Sequence, residues 1–254
     1  MTVEEWQIAL RRQFGREQKF ILKRDHSRSD CPDFSVANPE SGNTYRVAIR
    51  SVSGGDNYCS CPDFSTNTLL TCKHIEFTLA SLERNKQTAR FFKSGFQERR
   101  SSSVFVQYGL EQRVAFKPAQ SMSKSLRQLV AGYFDEQGYF KDESYGRWVS
   151  FTQALEKIPD PVRVYEDASR LAQNKMDQGN LKKLVDQFLP RGIEDENFNE
   201  LLTAQLYSYQ REGALFAARN ARVLIAAQMG LGKTIQAMAT EEILARVQTV
   251  SRVL

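Results

Sequence analysis

The stretch that decides the fold is "CSCPDFSTNTLLTCKH", residues 59–74. It contains three of the four cysteines and one of the two histidines in a chain of 254 residues. In an extended segment, residues i and i+2 project from the same face, so Cys59 and Cys61 can converge on one ion. Pro62, directly after this pair, is expected to turn the chain away from the strand.

The segment upstream of the stretch predicts the strand that carries the first pair. In "YRVAIR" (45–50), apolar side chains alternate with Arg46 and Arg50. This period of two is typical of a half-buried strand, and it assigns the two arginines to the exposed face.

The segment downstream predicts a helix that carries the second pair. "TCKHIEFTLASLERN" (71–85) has an apolar stripe at helical spacing, with Thr71 placed to cap the first turn. Inside a helix, residues i and i+2 lie about 200° apart and cannot share a ligand. We therefore expect Cys72 in the lead-in to the helix and His74 in its first turn.

The sequence favours a cytoplasmic protein without a membrane partner. The N-terminus, "MTVEEWQIALRRQ", has acidic residues where a signal peptide needs a basic start and an apolar core. No apolar run approaches the roughly 20 residues that a membrane span needs. In that compartment, clustered cysteines favour metal binding over disulfides.

Three thiolates and one imidazole at this spacing predict a closed, tetrahedral, structural Zn²⁺ site. The pattern Cys-x-Cys, ten residues, then Cys-x-His resembles the SWIM zinc finger over about Thr44 to Arg84. The resemblance implies a small ββα zinc module that binds nucleic acid, DNA in the first place, or another protein, and that performs no chemistry. Its metal ligands would be Cys59, Cys61, Cys72 and His74.

The pentapeptide "CPDFS" occurs twice, at 31–35 and 61–65. A second zinc site at the first copy would need further ligands near Cys31, and only His26 is available. Two ligands do not close a zinc site. We therefore interpret Cys31 as a free or buried thiol and the repeat as coincidence.

The positive charge of the chain lies mostly in its first hundred residues. They contain 16 Lys and Arg against 12 Asp and Glu, and "RNKQTARFFKSGFQERR" (84–100) alone has six basic residues and one acid. Basic and aromatic side chains together suit a phosphate backbone with stacked bases, although a solvated helix with a Phe92/Phe96 edge explains the run more simply. The nucleic-acid candidates are Arg46, Arg50, Arg90, Lys93, Arg99 and Arg100.

The middle of the chain, residues 87–200, carries no chemical motif and predicts an α+β connector. "SVFVQYG" and "QRVAFKP" predict a hairpin around Gly109. Helices are expected over "SKSLRQLVAGYF", "SFTQALEKI" and "VYEDASRLAQNKMDQGNLKKLVDQFL". The aromatic run at Tyr133, Phe134, Tyr139 and Phe140 is assigned to core or turn packing.

A phosphate-binding loop is predicted near the end of the sequence. "RVLIAAQ" (222–228) is an apolar run typical of a buried parallel strand, "MGLGKT" follows it, and "TIQAMATEEILARV" has helical character. In this context the backbone NH groups of Gly230 to Thr234, Leu231 and Gly232 among them, would surround phosphates. Lys233 would contact the β- and γ-phosphates, and Thr234 would bind Mg²⁺.

The loop and the segment before it resemble Swi/Snf-type helicases. The helicase pattern Ala-x-x-Gly-x-Gly-Lys-Thr starts at Ala227, and "LYSYQREGALFAARN" resembles the segment that precedes it in this family, where a glutamine reads adenine. Here that residue would be Gln210, with Gly213. The resemblance runs from about Leu206 to Leu254 and implies ATP with Mg²⁺ as cofactors. Ala227 and Gln228 stand where family members usually carry acidic residues.

The expected fold class is α+β, with a zinc region over 1–86 (core 44–84), a connector over 87–200, and the start of a RecA-like α/β lobe over 201–254. The sequence ends twenty residues after Thr234, before a Walker-B acid or an arginine finger. We therefore expect the N-terminal portion of an ATP-dependent DNA helicase or translocase, inactive as an ATPase by itself. The alternative is a non-enzymatic, zinc-stabilised adaptor with a vestigial loop. A different P-loop ATPase, such as an AAA protein, is disfavoured by the Gln210 segment.

Overall fold

The computed structural model describes residues 1–24, 33–52, 55–85, 88–89, 101–220 and 222–248. Helices and strands occur together in these ranges, which confirms the α+β class. The chain divides into two compact units, Met1–Ser144 with Val149–Leu171 and Tyr145–Trp148 with Ala172–Leu254. The boundaries expected after residues 86 and 200, and the roles expected for the three regions, stay predictions.

The first unit contains a four-stranded antiparallel sheet with strands in sequence order. The strands are β1 (Ile21–Arg24), β2 (Asp33–Ala37), β3 (Thr44–Ala48) and β4 (Tyr58–Cys59). The predicted strand at 45–50 is therefore real, but it ends at Ala48 and has neighbours on both sides. One face of the sheet buries Phe34, Val36 and Val47 in a core shared with Cys59 and Ile75.

Three helices accompany this sheet: α1 (Val3–Glu17), α2 (Pro62–Thr66) and α3 (Lys73–Arg84). A capping box between Thr2 and Glu5 fixes the start of α1. The helices α1 and α3 meet at Gly15, where a Cβ atom would lie 2.7 Å from the backbone nitrogen of Phe77. Only glycine allows this approach, so Gly15 sets the distance between the two helices.

A second sheet of the first unit has the order β6–β5–β7, with β5 (Ser102–Gln107), β6 (Arg113–Lys117) and β7 (Val162–Val164). The antiparallel pair β5–β6 confirms the predicted hairpin. The parallel partner β7 was not predicted, because its three residues had been assigned to a loop and the start of a helix.

The predicted helices of the middle region are confirmed as α4 (Lys124–Tyr133), α5 (Trp148–Glu156) and α6 (Glu166–Phe188). Phe134 and Phe140 are buried and contact Phe151 edge-on, with ring centroids 5.5 and 5.4 Å away. This confirms the core assignment for these two aromatic residues.

The second unit consists of helices around one apolar core. The C-terminal part of α6 is followed by the 3₁₀ turns Gly192–Glu194 and Glu196–Glu200 and then by α7 (Ser208–Asn220) and α8 (Lys233–Val247). The core contains Val185, Leu189, Phe198, Ala218 and Ile243. The helix predicted after the glycine loop is thus confirmed as α8.

The strand predicted over residues 222–228 is wrong. These residues form neither helix nor strand, and Leu224 is 88% exposed. The physical reason is the lack of a partner, since no strand is described in residues 172–220 or 222–248. A parallel strand is stable only between neighbours that cover it. The RecA-like architecture expected for residues 201–254 is therefore not observed in the described chain.

The longest helix, α6, has 23 residues, but charged side chains are distributed along its whole length. None of the helices in the described ranges combines the length and the apolar character that crossing a bilayer requires.

Candidate metal centre and glycine loop

Three short elements of the first unit bring the predicted metal ligands together. Cys59 ends β4, and Cys61, two residues later in extended conformation, is the N-cap of α2. Cys72 is the N-cap of α3, and His74 lies in the first turn of that helix. All four side chains are at most 3% exposed.

The start of α3 differs from the prediction in one respect. Cys72, and not Thr71, is the N-cap, and within the described chain its side chain makes no capping hydrogen bond. The Thr71 hydroxyl instead donates to Glu76 Oε1 over 2.8 Å. Cys61 and Cys72 therefore both sit at helix N-termini, where the backbone NH groups favour a thiolate.

The ligand atoms of the four side chains lie within 4.8 Å of one another. His74 Nδ1 is 3.8 Å from Cys59 Sγ and 4.0 Å from Cys72 Sγ. A tetrahedral zinc ion with Zn–S and Zn–N bonds of about 2.3 and 2.0 Å holds its ligand atoms about 3.5–3.8 Å apart. The donor set and its spacing therefore fit a tetrahedral ion after a small contraction.

Contacts among the three cysteines shift their pKa values in opposite directions. Hydrogen bonds from Cys59 and Cys72 hold the pKa of the Cys61 thiol far below its usual range. The contact with Cys61 raises the pKa of Cys59 far above its usual range. For Cys72, the contact with Cys59 lowers the pKa, but the contact with Cys61 and burial outweigh it and raise the pKa to about 12.

Aromatic rings enclose the histidine of the cluster. The His74 ring is tilted against Phe20 and Tyr45, with centroid distances of 5.1 and 4.7 Å. On the cysteine side, the Phe64 backbone NH donates to Cys61 Sγ over 3.4 Å. These contacts fix the orientation of two ligands and leave little room for a substrate, as expected of a structural metal site.

The two arginines predicted on the exposed face of the strand have different environments. Arg46 is on the exposed face, and its guanidinium pairs with Glu166. Arg50 contradicts the prediction, because its side chain is only 5% exposed and forms a two-fold hydrogen bond with Asp167 at 2.8 and 2.9 Å. The chain has left β3 before Arg50, so the alternation no longer decides which way the side chain points.

Several other predicted site residues lie outside the described residues: Arg90, Lys93, Arg99 and Arg100 of the basic segment, and Cys31 with His26 at the first "CPDFS". Their assignments stay predictions.

The glycine loop of the second unit forms an exposed turn before α8. Gly230 and Gly232 have φ angles of 87° and 67°, a left-handed conformation that glycine adopts without strain. Lys233 Nζ donates to the carbonyl oxygens of Ala227 and Gln228 over 3.1 and 3.3 Å. Leu231 lies in the loop between these two glycines, and Thr234 is the second residue of α8. The lysine thus occupies the concave side of its own loop.

The loop contacts the segment that was predicted to read adenine. A Cβ on Gly232 would lie 2.6 Å from Gln210 Nε2, so this buried glutamine touches the loop backbone. Gln210 also accepts a hydrogen bond from the Tyr207 backbone NH and donates to the Tyr209 hydroxyl. On the next turn of α7, Gly213 lies against Gln236 of α8. The structure therefore brings together Gln210 and the loop, which are twenty residues apart in sequence.

Sequence reasoning missed the carboxylates Glu166 and Asp167, which hold Arg46 and Arg50 in place. It placed them in a helix without a role. Both lie in the first turn of α6, where acidic residues are common because they stabilise the helix N-terminus, so nothing in the sequence indicated long-range ion pairs.

Comparisons of the chain with protein-family models, with curated proteins and with solved structures gave no match in any of the three. The family assignments expected from the motifs therefore stay predictions, and the function has to be argued from the two sites.

Proposed function

We propose that Cys59, Cys61, Cys72 and His74 bind one structural Zn²⁺ ion and that the surrounding SWIM-like module serves binding, not catalysis. The observation that carries this proposal is the convergence of three sulfur atoms and one imidazole nitrogen within 4.8 Å in a buried cluster. Four protein ligands complete a tetrahedral zinc ion, so no position is left for a reacting water.

The zinc proposal is tested by metal analysis of the full chain. Purified protein should contain about one zinc per chain, because the site has one complete ligand set. Cys61→Ser should lose the metal and destabilise residues 44–84, since structural zinc contributes folding free energy. The matched control is Cys31→Ser, which removes the one cysteine that is not a predicted ligand and should leave the zinc content unchanged.

Two results would contradict the proposal. One is stoichiometric zinc in Cys61→Ser, which would show that this thiol is not a ligand. The other is equal loss of zinc in Cys31→Ser, which would show that the ligand set has been misassigned.

A second function, ATP binding at the glycine loop, is supported by the contact between Gln210 and Gly232. Together with the zinc module, this loop supports an ATP-dependent helicase or translocase of the Swi/Snf type as the proposed role. In that role Lys233 would exchange its two loop carbonyls for phosphate oxygens, and Thr234 would hold Mg²⁺. The alternative is an adaptor in which the loop no longer binds nucleotide.

Equilibrium binding of Mg²⁺–ATP to the full chain separates these two roles. Lys233→Ala should weaken binding by about tenfold or more, because a charge-assisted contact to phosphate is lost. Lys175→Ala, an exposed lysine of α6 in the same unit, is the matched control and should have no effect. Equal affinity of the parent chain and Lys233→Ala would favour the adaptor.

A further inference from the structure

A cavity of about 400 Å³ lies within the first unit, beside the face of the four-stranded sheet that does not carry the metal cluster. Strand alternation places Arg46 and Ala48 on this face, since Val47 between them belongs to the core around Cys59. The other wall is Tyr165 with the first turn of α6. The cavity is thus distinct from both sites described above.

Basic side chains outnumber acidic ones around this cavity. Its three carboxylates are all engaged by arginines: Asp33 by Arg163, Glu166 by Arg46 and Arg170, and Asp167 by Arg50. Two further basic residues, Lys23 and Arg24, line the cavity and have no acidic partner in the described parts of the chain. Four basic side chains therefore line the cavity against three carboxylates, and the cavity has an excess of positive charge.

Arg50 supplies a fixed guanidinium at the wall of the cavity. Its two terminal nitrogens bond to Asp167 and to the Asp56 carbonyl. Its Nε is buried, has no hydrogen-bond partner among the described residues, and is closed to a ligand in the cavity. Arg50 therefore contributes positive charge to the cavity and no hydrogen bond from Nε.

Glu166, which lines the cavity, forms ion pairs with two arginines. Arg46 and Arg170 both bond to this one exposed carboxylate, and their side chains are each 60% exposed. Either guanidinium can turn to an incoming anion while the other still neutralises Glu166. The arrangement therefore keeps two planar donors, the side chains best suited to phosphate, available without leaving a carboxylate unpaired.

We propose that this cavity binds a phosphate ester of nucleotide size. The excess of arginine selects a phosphate group, and the volume lies within the range of about 300–1,000 Å³ that is usual for small-ligand sites. Tyr58, which lines the cavity and is only partly buried, supplies aromatic surface for the organic part of the ligand. The same chemistry could come from a free nucleotide or from one unit of a nucleic-acid strand.

The proposal is tested by calorimetric titration of the full chain in a Lys233→Ala background, so that the glycine loop does not contribute. The probes are thymidine monophosphate, the dinucleotide TpT, and thymidine, which lacks phosphate. At least one phosphate-bearing probe should bind about tenfold or more tightly than thymidine. Preference for the monophosphate would identify a free nucleotide as the ligand, and preference for TpT would identify a nucleic-acid strand.

Arg46→Gln should weaken phosphate binding by about tenfold. Arg113→Gln is the matched control, because this exposed arginine of the same unit is also paired with one glutamate, Glu111, and does not line the cavity. Three results would overturn the proposal: thymidine binding as tightly as the phosphate probes, equal effects of the two substitutions, or no binding of any probe up to millimolar concentration.

Discussion

At the scale of single residues, the buried pair of Arg50 and Asp167 links distant parts of the first unit. Both side chains are 5% exposed, and Asp167 also accepts a hydrogen bond from the Tyr108 hydroxyl. Burial alone would lower the pKa of Arg50, but the Asp167 charge outweighs it and raises that pKa. Burial also raises the pKa of Tyr108 far above its usual range, with the Asp167 charge adding to it. Each partner is therefore needed to compensate the desolvation of the other.

We expect Arg50→Met to lower the free energy of unfolding of the first unit by about 3–5 kcal/mol, because the Asp167 carboxylate would stay buried without its partner. The double variant with Asp167→Leu should recover much of this loss, since it removes the buried charge as well. Urea unfolding followed by hydrogen exchange over residues 44–84 measures both effects. In Arg113→Met, which breaks an exposed pair, the free energy of unfolding should change little.

A second residue-scale prediction concerns the protons of the cysteine cluster. Contacts within the cluster and burial raise the pKa values of Cys59 and Cys72, whereas hydrogen bonds from these two residues lower the pKa of Cys61. Because zinc binds thiolates, its binding should release about two protons from these two residues. The zinc affinity should therefore fall about a hundredfold for each unit by which the pH is lowered.

Calorimetry of zinc binding in buffers with different ionisation enthalpies measures this proton release directly. Cys31→Ser should release the same number of protons as the parent chain. A release close to zero would mean that all three thiols are already ionised before the metal binds.

The sequence predicted correctly that Cys59, Cys61, Cys72 and His74 come together, but it did not predict the burial of Arg50. The ligands are close in sequence, and local strand and helix geometry decides their convergence. The partner of Arg50, by contrast, is 117 residues away, and nothing local indicates that the side chain is buried. Long-range ion pairs of this kind are invisible to reasoning from periodicity.

At the scale of elements, the contact between α1 and α3 depends on a single missing side chain. An added Cβ on Gly15 would lie 2.9 Å from the Lys73 carbonyl oxygen as well as close to the Phe77 nitrogen, and backbone atoms cannot rotate away. The distance between the helices would have to increase, although an interior helical glycine is otherwise unfavourable.

Gly15→Ala should therefore lower the thermal stability of the first unit, by about 1–3 kcal/mol in free energy, in spite of its better helix propensity. Gly132→Ala in α4 is the matched control, because no described atom beyond its chain neighbours and the backbone of its own helix lies within 4 Å of the added Cβ. There the propensity gain should stabilise by up to about 1 kcal/mol. Differential scanning calorimetry of the two variants gives the comparison, and stabilisation by Gly15→Ala would refute the close helix contact.

The repeated pentapeptide shows where local sequence stops determining an element. Asp33, Phe34 and Ser35 lie in strand β2, whereas the same three residues at 63–65 lie in helix α2. The second copy starts at a cysteine that caps a helix, and the first is held between two neighbouring strands. Pairing partners outweigh propensity here, as they do in the unformed strand at 222–228.

At the scale of the whole molecule, the two units have separate apolar cores. The core of the first sheet includes Cys59, Cys61 and Cys72, while the core of the second unit consists of residues from 181 onward. None of the four predicted metal ligands belongs to the core described for the second unit. Unfolding of such a chain need not be a single two-state transition.

Removal of zinc with a chelator should lower the midpoint of one thermal transition and leave another unchanged. Hydrogen exchange should show loss of protection over residues 44–84 with retained protection in α7 and α8. The Cys61→Ser variant without chelator should give the same pattern. Simultaneous loss of protection in α8 would show that the stability of the second unit depends on the metal.

The contact between α1 and α3 also has a consequence for synthesis of the chain. The ribosome completes α1 long before it reaches Lys73, where α3 begins. At about 5–20 residues per second, several seconds pass in which α1 has been synthesised and α3, the helix it packs against, has not. Trp6 and Phe14, about half exposed even in the folded chain, are then available to chaperones on the nascent polypeptide. Metal capture at Cys72 and His74 would end this period, because it fixes the first turn of the helix on which α1 docks.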